Sequence, residues 1–278
     1  MTKMTADLHE AVIVIAREAG HAIMAVYEGA FDVQRKNDDS PLTAADMAAH
    51  RTITDGLRRL TPQWPVLSEE AADIPWSERS QWPTYWLVDP LDGTREFIKR
   101  NGEFTVNIAL IEQNEPVFGV VHAPVTGETW HARQGRNAYR RVGDVDAQIR
   151  TRAPATGTLK VAASRSHRDA RTQAFLDGMG DIEEVSLGSS LKFCRIAEGT
   201  LDVYPRFGPT SEWDTAAAQC VLEAAGGALL APDGRAFRYN RRETLLNGDF
   251  VALGDMTLPW RTWLARAQDD DHGHARIA

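Results

Sequence analysis

Apolar residues recur at helical spacing in the first part of the chain. Between Asp7 and Tyr27 they fall three or four residues apart, which predicts an amphipathic helix. Gly29 follows as a stop signal. A polar stretch then leads to a second predicted helix, from about Thr43 to Leu60. The chain therefore opens with two predicted helices.

Short apolar runs follow and predict strands. The run from Tyr85 to Val88 is continuous, as in a buried strand, and three later runs between 105 and 132 are separated by turn signals. This spacing is typical of an antiparallel meander. The segment from Arg141 to Gly157 is rich in Arg, Asp, Gly and Thr and is the best candidate for a domain boundary.

Beyond this segment, strands and helices alternate up to about residue 230, which favours an α/β layer. A length of 278 residues also fits two domains or two lobes. We predict an α/β fold with an α+β metal-binding lobe at residues 1–145. An α/β nucleotide-binding lobe at 146–278 would complete it and end in a polar, flexible tail.

Composition narrows the class of function. The 31 basic and 39 acidic residues give a net charge of −8, which argues against a protein that binds the backbone of nucleic acid polymers. The two cysteines, Cys194 and Cys220, form no CxxC pair, so a reducing compartment is expected. We find no apolar run long enough to cross a bilayer and no signal peptide, and we expect a cytoplasmic protein.

The segment Asp89-Pro-Leu-Asp-Gly-Thr94 carries the most specific chemistry. A buried strand emerges at Asp89, turns through the proline and glycine, and enters a helix at Thr94. Such a turn can aim two carboxylates and the Leu91 carbonyl at one point, and oxygen ligands suit Mg²⁺. The amides of Gly93 and Thr94 open a helix, where phosphate is favoured. Taken alone, the segment also fits an ordinary surface turn.

Three further acidic patterns each have a second interpretation. Glu69 and Glu70 follow a short predicted strand and fit a solvated strand end. Asp214 lies three residues after Ser211, which fits the acidic partner of a helix capping box. Asp46 lies three residues after Thr43 and fits the same pattern. No nucleotide P-loop, dinucleotide-binding glycine motif, nucleophile elbow or HExxH zinc motif occurs in the sequence.

Together and in this order, the patterns resemble the lithium-sensitive, magnesium-dependent phosphatases of the inositol monophosphatase superfamily. That group combines Glu-Glu, Asp-Pro-Leu/Ile-Asp-Gly-Thr and a distant Trp-Asp-x-Ala, found here at 69–70, 89–94 and 213–216. Three further segments resemble the bacterial CysQ-type 3′(2′),5′-bisphosphate nucleotidases. They are 164–167 (Ser-Arg-Ser-His), 188–194 (Gly-Ser-Ser-Leu-Lys-Phe-Cys) and 204–210 (Tyr-Pro-Arg-Phe-Gly-Pro-Thr).

The resemblance implies roles for individual residues. Those expected to bind metal are Glu69, Asp89, the carbonyl of Leu91, Asp92 and Asp214. Glu70 would hold water or backbone beside them, and Asp46 with Thr94 would polarise the attacking water; Glu69 would also take part in catalysis. The expected substrate-binding residues are Glu69, Leu91, Asp92, Gly93, Thr94, Ser164, His167, Gly188, Lys192, Arg206 and Asp214.

The implied fold is a layered αβαβα phosphatase. The implied reaction is hydrolysis of the 3′-phosphate of adenosine 3′,5′-bisphosphate to AMP, with the related 3′-phosphoadenylyl sulfate also accepted in sulfate assimilation. It would use water activated by two or three Mg²⁺ ions. Some relatives associate with the inner face of the membrane. Two alternatives stay open: an inositol monophosphatase-like enzyme, and a non-catalytic, metal-dependent nucleotide sensor.

Overall fold

A computed structural model describes residues 5–29, 33–35, 41–163 and 170–274. The helices in these ranges are α1 (Ala6–Tyr27), α2 (Ala44–Leu60), α3 (Trp76–Arg79), α4 (Thr94–Ile98), α5 (Ala170–Asp177), α6 (Leu191–Ala197), α7 (Glu212–Ala224) and α8 (Trp260–His274). The first strands are β1 (Val33–Arg35), β2 (Pro41–Thr43), β3 (Val66–Ser68), β4 (Thr84–Asp92), β5 (Thr105–Glu112), β6 (Glu115–Ala123) and β7 (Glu128–Arg133). The remaining strands are β8 (Ala138–Val142), β9 (Val145–Ile149), β10 (Leu159–Ala163), β11 (Ile182–Ser186), β12 (Val203–Arg206), β13 (Ala228–Leu230) and β14 (Phe250–Leu253).

The larger sheet has seven strands in the order β3-β4-β5-β6-β7-β8-β9, with β3 parallel to β4 and the other pairs antiparallel. Side chains alternate between its faces. Trp86 and Val88 pack in the cluster formed with α1 and α2. Tyr85 and Leu87 pack in the cluster formed with α6 and α7. Because both faces of β4 are covered, its sequence is a continuous apolar run.

The smaller sheet has five strands in the order β11-β10-β12-β14-β13. β10 runs parallel to both β11 and β12, while β14 is antiparallel to β12 and β13. Val161 and Val203 pack toward α5 and α8. Ala162 and Tyr204 belong to the same cluster as α6 and α7.

Helices α6 and α7 thus lie between the two sheets and are buried against both. The layers are α1 and α2, the seven-stranded sheet, α6 and α7, the five-stranded sheet, and α5 with α8. The predicted α/β class and the αβαβα layering are confirmed. The shared middle layer matters for chemistry because α7 carries Asp214 into the space beside β4.

Two parts of the chain differ from the sequence-based expectation. The segment from Arg141 to Gly157 contains the end of β8 and all of β9, which complete the larger sheet. At the C-terminus, α8 continues to His274, into the tail predicted to fray. Trp260, Trp263 and the neighbouring apolar residues of α8 pack in the cluster with α5, and this anchors the helix.

Candidate active site

The strand-to-helix turn at 89–94 brings two carboxylates to one side of the sheet. Asp89 pairs with Asn107 and Asp92 with Thr105, so three steps along β4 oppose two along β5. This β-bulge shifts the side-chain alternation by one residue, and residues three apart can then face the same way. Gly93 has a φ of +95°, and an added Cβ would lie 3.2 Å from the Glu103 carbonyl oxygen. Glycine is therefore required there.

Asp214 completes the cluster from the other side. Carboxylate oxygens of Asp89, Asp92 and Asp214 all lie within 4.8 Å of one another. Asp214 sits in the first turn of α7, where one of its oxygens accepts a 2.8 Å hydrogen bond from the Ser211 backbone N–H. The full capping box is present. Both interpretations of Asp214 therefore hold: it caps the helix and it joins the acidic cluster.

Two carboxylates of the cluster, Asp89 and Asp214, have pKa values far above their usual range. Burial raises the pKa of Asp89 well above its usual value, and the negative charges of Glu69 and Asp92 raise it further. Burial likewise raises the pKa of Asp214 to about 8, with Asp92 as the next largest cause. Crowded carboxylates of this kind are stabilised by a divalent cation, and an all-oxygen donor set suits Mg²⁺. The residues present therefore fit the expected metal.

A partly buried hydrogen-bonded pair, Thr94 and Asp46, lies next to the cluster. The Thr94 Oγ1 hydroxyl is 3.5 Å from Asp46 Oδ1 and 3.4 Å from the Leu91 carbonyl oxygen. Asp46 is 2% exposed and lies in the first turn of α2. Glu70 adjoins Glu69 in the short 3-10 turn after β3. Its negative charge raises the pKa of His50, but burial lowers that pKa by more.

Two basic residues line a cavity together with part of the acidic cluster. The cavity, of about 170 Å³, is lined by Asp92, Asp214, Gly188, Lys192 and Arg206, among others. The Lys192 ammonium donates to the Ser189 carbonyl at 2.7 Å and lies over the Tyr204 ring. Burial lowers the pKa of Lys192 to about 8.

The structure brings most of the predicted residues together. Eight of them lie at or beside the acidic cluster: Asp46, Glu69, Asp89, Leu91, Asp92, Gly93, Thr94 and Asp214. Three more line the cavity that Asp92 and Asp214 also line: Gly188, Lys192 and Arg206. Arg206 also donates to the Pro209 carbonyl at 3.0 Å. Ser164 and His167 lie outside the described residues.

Two buried residues of the site escaped the sequence analysis. Ser190 and Asn107 both donate hydrogen bonds to Asp92. Ser190 lies inside a segment that was singled out for its neighbours Gly188 and Lys192. In the sequence Asn107 has the appearance of an ordinary strand residue, and only the pairing of β4 with β5 places it opposite Asp89.

Comparison with known proteins agrees with this geometry. A sequence model described as the inositol monophosphatase family matches residues 5–268. The chain belongs to the inositol monophosphatase family. A member from Salmonella typhimurium, named 3′(2′),5′-bisphosphate nucleotidase CysQ, is 54% identical over 244 residues, which cover 87% of this chain and 97% of that one. The protein of the same name from Escherichia coli K12 is 53% identical, covering 85% and 95%.

Solved structures of the inositol monophosphatase family share the fold. CysQ from Bacteroides thetaiotaomicron, described as a bacterial member of the family, has a TM-score of 0.79 and 40% identity, covering 90% of this chain and 98% of that one. The inositol monophosphatase from Thermotoga maritima has a TM-score of 0.80 at 23% identity, covering 96% and 99%, and shows the fold alone. Among the described residues, none of the helices combines the length and apolar character needed to span a bilayer.

Proposed function

We propose that the protein is a magnesium-dependent phosphatase that hydrolyses the 3′-phosphate of adenosine 3′,5′-bisphosphate to AMP and phosphate. One observation carries the proposal: Asp92 and Asp214 of the carboxylate cluster line the same cavity as the buried cation Lys192. Metal ligands and an ammonium in one cavity suit a substrate with two separate phosphates. Two proteins named for this activity share more than half of their aligned residues with this chain.

We assign the metal ligands to Glu69, Asp89, the Leu91 carbonyl, Asp92 and Asp214, with Glu70 supporting them, and propose two or three Mg²⁺ ions. When bound, magnesium lowers the pKa of water and stabilises charge on phosphoryl oxygens. The distances among Asp89, Asp92 and Asp214 suit shared cations. The raised pKa values of Asp89 and Asp214 reflect the same preference for positive charge.

The residues of the chain would orient the other reactants. The Thr94 hydroxyl donates a hydrogen bond to Asp46, so a lone pair of its oxygen is directed to accept a hydrogen bond from the attacking water. The backbone N–H groups of Gly93 and Thr94 are assigned to the scissile phosphate. Because water is the nucleophile, no covalent phosphoenzyme forms.

Lys192 and Arg206 are assigned to the second phosphate and the nucleoside, with Gly188, Ser164 and His167. A substrate that carries a sulfate on the 5′-phosphate keeps both anionic groups, so 3′-phosphoadenylyl sulfate is proposed as a second substrate. We further propose a division into two lobes. The expected boundary between 145 and 146 would cut β9, which completes the larger sheet, so we place the boundary after Ile149. The two buried free cysteines fit a cytoplasmic location. Peripheral association with a membrane stays a prediction.

A phosphate-release panel tests the assignment. Purified protein is incubated with adenosine 3′,5′-bisphosphate, inositol 1-phosphate or fructose 1,6-bisphosphate, each with Mg²⁺ or with EDTA. We expect the highest kcat/KM for the nucleotide and no release in EDTA. Equal turnover of inositol 1-phosphate would favour an inositol monophosphatase-like enzyme. Tight nucleotide binding with no release in Mg²⁺ would favour a non-catalytic sensor.

A further inference from the structure

One carboxylate oxygen of Asp92 is surrounded by hydrogen-bond donors. Asp92 Oδ2 accepts from the Ser190 backbone N–H at 2.7 Å, from the Ser190 hydroxyl at 2.7 Å and from the Asn107 amide at 3.3 Å. Both donor residues are 1% exposed. Three donors on a single oxygen fix the rotamer of the carboxylate and leave the other oxygen, Oδ1, for a cation.

The direction of each hydrogen bond follows from the surrounding groups. The Thr105 hydroxyl lies 3.2 Å from Asn107 Oδ1, so the amide nitrogen of Asn107 points toward Asp92 and Ser190. That nitrogen also donates to Ser190 Oγ at 2.9 Å. The single hydroxyl proton of Ser190 can reach Asp92 Oδ2 or the Asp214 carbonyl oxygen at 2.8 Å. The charged carboxylate is the stronger acceptor.

This arrangement also joins the two lobes. Asn107 lies on β5 of the seven-stranded sheet, and Ser190 immediately precedes α6 in the other lobe. Ser190 stands between Gly188 and Lys192, so the loop assigned to the nucleotide is attached directly to a residue assigned to the metal. Residues that contact a metal ligand and hold its orientation change metal affinity when they are removed.

We propose that Ser190 and Asn107 are positioning residues that orient Asp92 for cation binding. The inference rests on the metal site of the proposed function, and it is independent of which phosphate ester is the substrate. Neither residue touches the reacting atoms; both act through Asp92. The affinity for Mg²⁺ therefore depends on two neutral side chains outside the set of ligands.

The test measures Mg²⁺ affinity of the substrate-free protein by calorimetry. Ser190→Ala and Asn107→Ala are each expected to weaken Mg²⁺ binding by about 10- to 100-fold, as is typical for residues that support a metal ligand. The double variant should lose less than the product of the two losses, because both changes affect the same oxygen. Ser189→Ala is the matched control, since the Ser189 hydroxyl lies 3.5 Å from the Leu191 N–H and has no contact with Asp92 among the described hydrogen bonds. Its Mg²⁺ affinity should equal that of the wild type.

Thermal unfolding in EDTA separates positioning from a general structural role. A structural role lowers the unfolding temperature of the metal-free protein and leaves the Mg²⁺ affinity of the folded fraction unchanged. That result in Ser190→Ala would overturn the proposal, and so would an affinity equal to that of Ser189→Ala. If Asn107→Ala does not fold, Ser190→Ala alone decides. Absence of Mg²⁺ binding by the wild type would refute the metal site of the proposed function instead.

Discussion

At the scale of single residues, the sequence predicted that the turn at 89–94 could aim Asp89 and Asp92 at one point, but not the β-bulge that does so. Asp89 and Asp92 are three apart, which in a regular strand puts them on opposite faces, and only the β-bulge against β5 brings them together. Asp214 follows a capping-box pattern that is complete in the structure. A local sequence pattern identified the cap correctly and carried no information about the cluster beside it.

Asp89→Asn should abolish turnover without unfolding the protein. The change removes a ligand from the centre of the cluster, and we expect phosphate release to fall by more than about 100-fold, the upper end for residues that only support a ligand. It also removes a negative charge from crowded, buried carboxylates, so the unfolding temperature in EDTA should not fall. Asp55→Asn, at an exposed position on α2, is the control and should keep normal activity. Substantial activity in Asp89→Asn would contradict the assignment.

The raised pKa values predict how stability depends on pH. The pKa of Asp214 is about 8 in the folded, metal-free protein, above its ordinary value of 3.8 in the unfolded chain. The folded state therefore binds the extra proton, and this contribution to stability is lost as the pH rises through about 8. Burial lowers the pKa values of buried His122 and partly buried His9 to about 4. Their effect on stability therefore has the opposite sign, and it ends near their ordinary pKa of 6.5.

Urea unfolding in EDTA can isolate the Asp214 contribution. Between about pH 6.5 and 8 we expect the free energy of unfolding to fall in the wild type, and to fall less in Asp214→Asn. Mg²⁺ affinity should rise over the same range, because binding must displace the proton. Parallel stability curves for wild type and Asp214→Asn would show that Asp214 does not titrate there.

At the scale of elements, burial on one or both faces decided which elements could be predicted. Strands β4 to β7 are buried on both faces and follow apolar runs. Strands β8 and β9 form a hairpin at the edge of the larger sheet, in which β9 is mostly exposed and Arg141 pairs with Asp146 and Glu10. The apolar and polar residues of β9 alternate over only five positions, and the charged residues and glycines around them give the segment the composition of a linker.

The start of α6 should discriminate between one phosphate and two. Lys192, the second residue of α6, donates hydrogen bonds from its ammonium to two backbone carbonyls and lines the same cavity as Asp92 and Asp214. Lys192→Ala should raise KM for adenosine 3′,5′-bisphosphate by about 10-fold or more, the cost of a hydrogen bond to a charged group. KM for 3′-AMP should change much less. Lys160→Ala, exposed and paired with Glu183, is the control. Equal losses on both substrates would count against the nucleotide assignment.

At the scale of the whole molecule, the two sheets share their central helices. The layer formed by α6 and α7 is buried between both sheets, so helices from the second half of the chain complete the core beside the larger sheet. Alternating strands and helices in the second half predicted an α/β layer, but not that its helices would also cover β5 and β6. Asp214 depends on this packing, since it reaches the cluster only because α7 lies against the larger sheet.

Gly119 on β6 provides a test of this dependence. A Cβ added there would lie 2.2 Å from the Ala217 carbonyl oxygen on α7, and backbone cannot yield as a flexible side chain can. Gly119→Ala must therefore push α7 away from the sheet, with a loss of about 1–3 kcal/mol in the free energy of unfolding as is typical of overpacking. Because the same helix carries Asp214, Mg²⁺ affinity should fall as well.

Gly248→Ala is the matched control, because the structure has open space around that position and no positive φ. Urea unfolding in EDTA gives the stability, and calorimetric Mg²⁺ titration of the folded variants gives the affinity. A loss of stability in Gly119→Ala with unchanged Mg²⁺ affinity would show that Asp214 is held by its cap alone. A loss of both stability and Mg²⁺ affinity would show that the position of Asp214 depends on the packing of α7 against the larger sheet. The middle layer would then act as part of the site.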